Sequence, residues 1–204
     1  MKERGMIFNA EMVRAILDGR KTQTRRPIKW KQTRFTEIAE RDDGSLWPWA
    51  EDCERGGDIW FACPYGEIGD RIWVRETFRV HSRATDVATL VYRASVRNSW
   101  TEQTHRVPIA VCDKPATPEK WTPSIHMPRW ASRITLEITG VRVERLNSIT
   151  ESDAEAEGVT DTGFGDLLVD GYRYLWKSIY GEESWAANPW VWVIEFKRVE
   201  GGAA

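Results

Sequence analysis

The stretch "GRKTQTRR", residues 19–26, holds residue types that could carry chemistry: four basic side chains and two threonines within eight positions. The Thr24 hydroxyl becomes a nucleophile only if a base removes its proton. Lys21 could be that base if burial and nearby guanidiniums lowered its pKa to about 7.5, which requires about 4 kcal/mol. Alternatively, the stretch binds phosphate or carboxylate, with Thr24 as a hydrogen-bond donor, through the cations of Arg20, Arg25 and Arg26. Spacing alone favours this second interpretation and leaves the first open.

The charges of the chain are segregated along the sequence, although the formal net charge is only −2. Seven basic and no acidic residues lie between Gly19 and Thr36, whereas seven acidic and no basic residues lie between Thr150 and Gly171. One interpretation is two separate solvated faces, which is the usual meaning of a charge run. The other is that the two segments meet across one pocket. The sequence leaves both open.

A strand and a helix precede the basic stretch and must position it. Apolar residues 6–8 indicate a strand that ends at Asn9, which is well suited to cap a helix. Gly19 is suited to the C-terminal cap, and helical spacing connects Met12, Val13, Ile16 and Leu17. The pattern predicts a strand, a capped helix and then a rigidly placed loop in which the basic stretch begins.

Farther along the chain, periodic segments alternate with turn-rich ones. Strands are predicted in "DRIWVRETFRV", "ATLVYRAS", "SRITLEITGVRVERL" and the final "NPWVWVIEFKRV". A helix capped by Ser148 or Thr150 is predicted after the third of these, and another helix extends over the apolar residues from Leu167 to Ile179. This order predicts an α+β fold, a small β-barrel decorated by helices.

The domain organisation follows from the same patterns. Residues 1–200 are predicted to form a single domain, and residues 201–204 a disordered tail. The segments at about 31–69 and 98–128 show no sustained period and are predicted to be irregular insertions.

Composition argues against several classes of protein. A chain of 204 residues with 41% hydrophobic residues is long enough for one substantial core. No apolar run is long enough to predict a membrane span, and the N-terminus lacks the apolar centre of a signal peptide, so a cytoplasmic location is expected. The three cysteines show no C-x-x-C pairing and the three histidines lie far apart, so neither a metal site nor a disulfide framework is expected.

Two further groups of side chains are candidates to face a ligand. The stretch "SIHMPRWASR" supplies His126, Arg129, Trp130 and Arg133. Glu76, in "VRETF", interrupts an apolar strand face, and a buried carboxylate there would need a cationic partner such as Lys21 or Arg26. Most of the 12 tryptophans are expected in the core, although those in irregular segments could stack on a nucleobase.

The basic stretch resembles a known signature. "GRKTQTRR" fits the G-x-K-x-x-x-x-R signature of the ASCH domain, a superfamily of PUA-like β-barrels implicated in RNA binding. Within it, the chain is similar to the N(4)-acetylcytidine amidohydrolase family, which shares "ILxGRKTxTxR" after its first helix. The resemblance continues, in the same order, through "GDRIWV", "TLEITGVRVERLNSITESDAEAEGV" and "WVIEFK". It covers about half of the chain. The chain is longer than minimal members of that family and in this resembles ASCH proteins common in phage and prophage genomes.

The resemblance implies an activity and a set of roles. The family hydrolyses the acetyl amide on the exocyclic nitrogen of cytidine, without metal or cofactor. Its base corresponds to Lys21, its nucleophile to Thr24 and its proton donor to Glu157. The hypothesis is therefore a metal-independent amidohydrolase for an N-acylated cytidine or related nucleoside, with "GRKTQTRR" as the floor of the pocket.

Two other functions remain open. One is an RNA- or nucleotide-binding module without catalysis, and the other is a ribonuclease that uses Lys21 and the arginines to stabilise a pentavalent phosphate. The expected partners are accordingly a nucleoside or nucleotide ligand or RNA, with no membrane association. The expected oligomeric state is a monomer or a weak dimer.

Overall fold

The computed structural model describes residues 1–30, 37–52, 54, 56–95, 104–160 and 167–199. The chain divides into two compact units. The first comprises residues 1–19, 70–137 and 198–199, and the second comprises residues 20–69 and 138–197. The single domain over residues 1–200 stays a prediction, and the predicted disordered tail lies outside the described residues. In the described ranges, no helix is both long and apolar enough to cross a membrane.

Strands and helices are mixed along the chain. The first strands are β1 (Glu3–Ile7), β2 (Gln23–Pro27), β3 (Glu37–Glu40), β4 (Leu46–Glu51), β5 (Asp58–Trp60) and β6 (Arg71–Arg75). The later strands are β7 (Phe78–Arg83), β8 (Val87–Tyr92), β9 (Thr104–Pro108), β10 (Thr135–Arg145) and β11 (Trp190–Arg198). The α-helices are α1 (Ala10–Leu17), α2 (Glu151–Ala156), α3 (Leu168–Tyr180) and α4 (Glu183–Ala186). The α+β class is thus confirmed, and the sheets of the described residues are open, without closing into a barrel.

The first unit contains two groups of strands. β1 runs parallel to β6, and the first residues of β10 pair with β6 in the antiparallel direction. β7, β8 and β9 form an antiparallel sheet around a buried core that includes Phe78, Leu90 and Met127. The predicted helix is confirmed as α1, because the Asn9 side chain accepts a hydrogen bond from the Met12 amide at 2.8 Å.

The second unit carries the basic stretch in its sheet. β11 lies between β10 and β2, and its antiparallel pairing with β2 places Ile194 opposite Thr24. Val191 and Val193 of β11 are fully buried among apolar residues of α2 and α3. The basic stretch begins in a loop beyond α1, as predicted, and then continues into β2, which residues 23–27 form. Residues 23–27 are a strand because they pair with β11, and a local sequence pattern does not reveal pairing between segments so far apart in the chain.

The two segments predicted to be irregular contain strands in their described parts. β3, β4 and β5 form an antiparallel sheet within residues 37–60, and β9 pairs with β8 within residues 104–108. The prediction of irregular structure is wrong there, whereas residues 31–36 and 96–103 lie outside the described residues. These strands have three to six residues and one contains Pro48, so they are too short and too interrupted to show a period.

Candidate functional site

The acidic wall of the candidate site is helix α2. The Thr150 hydroxyl accepts a hydrogen bond from the Asp153 amide at 3.1 Å, and the Asp153 carboxylate accepts one from the Thr150 amide at 3.1 Å. This capping box starts the helix, and Glu157 is its C-terminal cap. Asp153 and Glu157 are one turn apart, so their carboxylates lie on the same side of the helix.

The basic wall of the site is one face of β2. Side chains alternate along a strand, so Gln23 and Arg25 share a face, and both reach the carboxylates of α2. Gln23 Nε2 donates to Asp153 Oδ1 at 3.2 Å. The Arg25 guanidinium lies 3.2 Å from Asp153 Oδ2 and 3.4 Å from Glu157 Oε1, and it also pairs with Glu144 at 3.3 Å.

Lys21 and Glu157 form a buried ion pair at the centre of these contacts. Lys21 Nζ lies 2.6 Å from Glu157 Oε2 and donates a second hydrogen bond to the Glu157 carbonyl at 2.8 Å. Their side chains are 0% and 1% exposed. The Thr22 amide donates to the Ala156 carbonyl at 2.8 Å and holds the two segments together. The basic and acidic segments therefore meet in space, one of the two alternatives that the sequence left open.

The electrostatics of the pair favour a less basic lysine. Burial lowers the pKa of Lys21 below its usual range, while the charge and hydrogen bond of Glu157 raise it in part. The guanidiniums of Arg26 and Arg25 lower the pKa of Lys21 further. Burial would raise the pKa of Asp153, but hydrogen bonds from Thr150 and the charge of Arg25 bring it down to about 2.

Arg142 of β10 completes the network, although sequence analysis did not identify it. Its guanidinium donates to Asp153 at 2.8 Å, to Gln23 at 3.2 Å, and also to Glu144 and Glu195. Alternation along β10 could have revealed it, because Arg142 and Glu144 lie on the face opposite the apolar side chains of Val141 and Val143.

Thr24 lies on the other face of β2. It is 2% exposed and sits between Gln23 and Arg25, so strand alternation directs its side chain away from the face that those two residues share. The hydrogen bonds of Lys21 Nζ go instead to the carboxylate and the carbonyl of Glu157. Arg26 shares the face of Thr24 and is paired with Trp192 of β11, whereas Arg20 is exposed and donates to the Gly158 carbonyl at 3.1 Å.

Glu76 and Arg133 form a second ion pair, in the first unit, between a buried carboxylate and a half-buried guanidinium. Arg133 donates to both oxygens of Glu76, at 2.9 and 3.0 Å, and its guanidinium lies 4.1 Å from the centre of the Tyr92 ring. Burial raises the pKa of Glu76, while the hydrogen bond and charge of Arg133 oppose this. The partner of Glu76 is therefore Arg133, rather than the predicted Lys21 or Arg26.

The other candidate residues of the first unit have separate environments. His126 is exposed at the end of a single 3₁₀ turn. Arg129 is also exposed and pairs with Glu3 at 3.0 Å. Trp130 packs edge-on against Phe78, with ring centres 6.4 Å apart, and thus extends the core. Their predicted role in substrate binding stays a prediction.

No metal site is evident in the described part of the chain, where no three side chains of His, Cys, Asp or Glu are grouped to hold an ion. Cys63 and Cys112 are buried thiols, and Cys53 lies outside the described residues. What the cluster around Lys21 offers chemically is a desolvated amine and carboxylate in direct contact, able to exchange a proton.

Comparisons with known proteins give one structural similarity. No protein-family model matches the chain, and no curated protein matches it. Among solved structures, it is similar to the ASCH domain from Lactobacillus crispatus JV V101, with a TM-score of 0.41 and 14% sequence identity. The match covers 97% of this chain and 79% of that one.

Proposed function

We propose that this chain is an amidohydrolase that removes the acyl group from the exocyclic nitrogen of an N-acylated cytidine or a related modified nucleoside. The observation that carries the proposal is the buried contact between Lys21 Nζ and Glu157 Oε2, at 2.6 Å. The substrate class comes from the resemblance of the stretch around Lys21 to the N(4)-acetylcytidine amidohydrolase family. The scheme needs no metal ion, because this pair supplies both proton transfers.

Burial makes the pair suited to acid–base work. In the proposed scheme a proton moves across the 2.6 Å contact from Lys21 Nζ to Glu157 Oε2 when the substrate binds, which leaves a neutral amine beside a carboxylic acid. The neutral pair presents a base and an acid side by side. The lowered pKa of Lys21 acts in the same direction, since general bases work best when their pKa is near the operating pH.

In the proposed reaction, Thr24 is the nucleophile. The Thr24 oxygen bonds to the acyl carbon as its proton passes to Lys21, and the arginine that shares its strand face, Arg26, stabilises the oxyanion. The carbon–nitrogen bond then breaks, and Glu157 gives its proton to the departing cytidine nitrogen. Water finally hydrolyses the threonine ester and releases the carboxylic acid.

The position of Thr24 defines a sharp alternative within the same scheme. Because Thr24 lies on the face of β2 opposite Arg25, proton transfer to Lys21 requires a relaying water molecule or movement of the lysine side chain. If the acyl group instead binds on the Lys21 side of β2, water itself attacks and Thr24 is dispensable. The two routes use the same acid and base and differ in whether an acyl-enzyme forms.

The test is conversion of N(4)-acetylcytidine to cytidine, followed by mass spectrometry. We expect turnover by the wild type and by Lys29→Ala, which removes an exposed lysine outside the site. Lys21→Ala and Glu157→Gln should each lose at least about 100-fold in rate, the usual contribution of general acid–base catalysis. Thr24→Ala should lose a similar factor if Thr24 is the nucleophile, and little if water attacks.

Two outcomes would overturn the proposal. One is wild-type protein that leaves N(4)-acetylcytidine and other N-acylated nucleosides intact. The other is turnover that survives in both Lys21→Ala and Glu157→Gln. Binding of RNA without turnover, with an affinity that falls steeply as salt rises, would instead favour the nucleic-acid-binding alternative.

A further inference from the structure

The second unit contains a pocket that the proposed reaction does not use. It has a volume of about 520 Å³, within the range of about 300–1,000 Å³ typical of small-molecule sites. Its walls come from the β3–β5 sheet, the following residues 62–68 and Val141 of β10. Neither Lys21 nor Glu157 lines it. The pocket is therefore a separate candidate for ligand binding.

Two tryptophans and an arginine give the pocket flat walls. The Arg41 guanidinium lies 4.1 Å from the centre of the Trp47 ring and 5.2 Å from that of Trp60. Trp47 is held in place, since its indole N–H donates to the Phe61 carbonyl at 2.6 Å and its ring packs edge-on against Trp192. Proteins bind exposed bases by stacking them on such aromatic rings and guanidinium planes.

The charged groups of the pocket determine which planar ligands it favours. Among the described lining residues, Asp43 and Glu67 supply two carboxylates against the one guanidinium of Arg41, a net charge of −1. Hydrogen bonds from Ser45 lower the pKa of Asp43, which keeps that carboxylate ionised. Carboxylates repel phosphate and accept hydrogen bonds from the amino groups of bases. The lining thus favours a ligand with amino groups and without phosphate.

We propose that the pocket lined by Arg41, Asp43, Trp47 and Trp60 binds the base of an unphosphorylated nucleoside that carries an exocyclic amino group. The ring stacks against the indole and guanidinium surfaces, and a rim carboxylate accepts a hydrogen bond from the amino group. This proposal goes beyond the proposed function and stands whether or not Lys21 and Glu157 catalyse a reaction.

Calorimetric titration of the full chain with cytidine, adenosine, uridine and cytidine 5′-monophosphate tests the proposal. Cytidine and adenosine should bind, and uridine should bind several-fold more weakly because its ring lacks an amino group. The monophosphate should also bind more weakly than cytidine, because its charge meets two carboxylates.

Variants locate the binding in the pocket. Trp60→Ala should lose at least about tenfold in affinity for cytidine, in line with the contribution of base stacking. The matched control is Trp190→Ala, which removes a tryptophan stacked on Arg145 at 4.3 Å outside the pocket. Asp43→Asn, at an exposed position, should reduce the preference for cytidine over uridine without affecting the fold.

Three results would overturn the proposal. They are equal affinity for cytidine, uridine and the monophosphate, full affinity in a folded Trp60→Ala variant, and an unchanged preference in Asp43→Asn. If Trp60→Ala proves unfolded by circular dichroism, the Asp43→Asn titration and the ligand series still decide the question.

Discussion

Lys21 and Glu157 are joined by a 2.6 Å contact between Nζ and Oε2, in surroundings that leave at most 1% of either side chain exposed. Arg25 approaches the other oxygen of the same carboxylate at 3.4 Å. Each charge has lost its hydration, and the attraction between the two charges offsets that free-energy cost. Removing one partner should therefore have effects on stability that are visible without any knowledge of the substrate.

Glu157→Gln should destabilise the protein and change how its stability depends on pH. Loss of a partner from a buried pair costs about 3–5 kcal/mol. The charge of Glu157 raises the pKa of Lys21, so the variant lysine has a pKa lowered still further. Below the usual lysine pKa of 10.5, the unfolded chain then binds a proton that the folded chain releases, and stability rises with pH over a wider window than in the wild type.

Urea unfolding between pH 6 and pH 9.5 measures this effect. The control is Glu155→Gln, an exposed position on the same helix, which should unfold like the wild type. Parallel pH profiles for the wild type and Glu157→Gln would contradict the assignment of a depressed lysine pKa to this pair.

Asp153 should make the protein sensitive to acid. Its pKa is about 2 in the folded chain against an ordinary value of 3.8, so its contribution is present above pH 3.8 and is lost as pH falls through about 2. After allowance for solvent screening, this contribution is about 1 kcal/mol. Asp153→Asn should therefore approach wild-type stability at pH 2 and be less stable at pH 7.

Thermal unfolding at a series of pH values tests the role of Asp153. Asp86→Asn, at an exposed position of the other unit, provides the comparison. A difference between Asp153→Asn and wild type that stays constant from pH 7 to pH 2 would show that the loss arises from capping of α2 and not from the carboxylate charge.

The pair of Glu76 and Arg133 should behave as one structural unit. Glu76→Ala removes the bidentate partner of a half-buried guanidinium, and we expect a loss of about 3 kcal/mol, the lower end of the range for a fully buried pair. Replacing both residues, as in Glu76→Leu with Arg133→Met, should restore much of that stability. A double-mutant cycle by urea denaturation measures the coupling, and additive losses would mean that the two side chains act independently.

Gly5 should tolerate no side chain while Trp73 is present. The two residues are paired between β1 and β6, and a Cβ at Gly5 would lie 2.6 Å from the indole ring. We expect Gly5→Ala to lower the free energy of unfolding by about 1–3 kcal/mol. The added Cβ would also lie 2.9 Å from Arg75 Cδ. In a Trp73→Val background the same change should therefore cost less, and an equal loss in both backgrounds would assign it to Arg75 or the backbone.

The sequence predicted the elements that are marked by local signals such as helix caps and strand alternation. The side chain of Asn9 and the capping box at Thr150 place α1 and α2, because a cap is a hydrogen bond within a few residues of its own helix. The long strand β10 is also evident from its alternation. These features depend on neighbours in sequence, which a single chain displays directly.

Tertiary partners were harder to predict. Glu76 and Arg133 were both candidates, yet their pairing depends on where strand β6 ends relative to a loop 57 residues away. The opposite orientation of Thr24 follows from β2 being a strand, which its pairing with β11 decides. The pocket near Trp47 and Trp60 arises from three short strands whose sequence carries no period.

The ion pairs around Lys21 also bear on polyanion binding. A protein gains affinity for nucleic acid when its cations displace the counterions condensed on phosphates. In this cluster, the cations of Lys21, Arg25 and Arg142 already face the carboxylates of Glu144, Asp153, Glu157 and Glu195. Three positive charges against four negative ones can release few counterions, so these residues would add almost nothing to the salt dependence of binding. Their positive charges are already paired with carboxylates inside the fold.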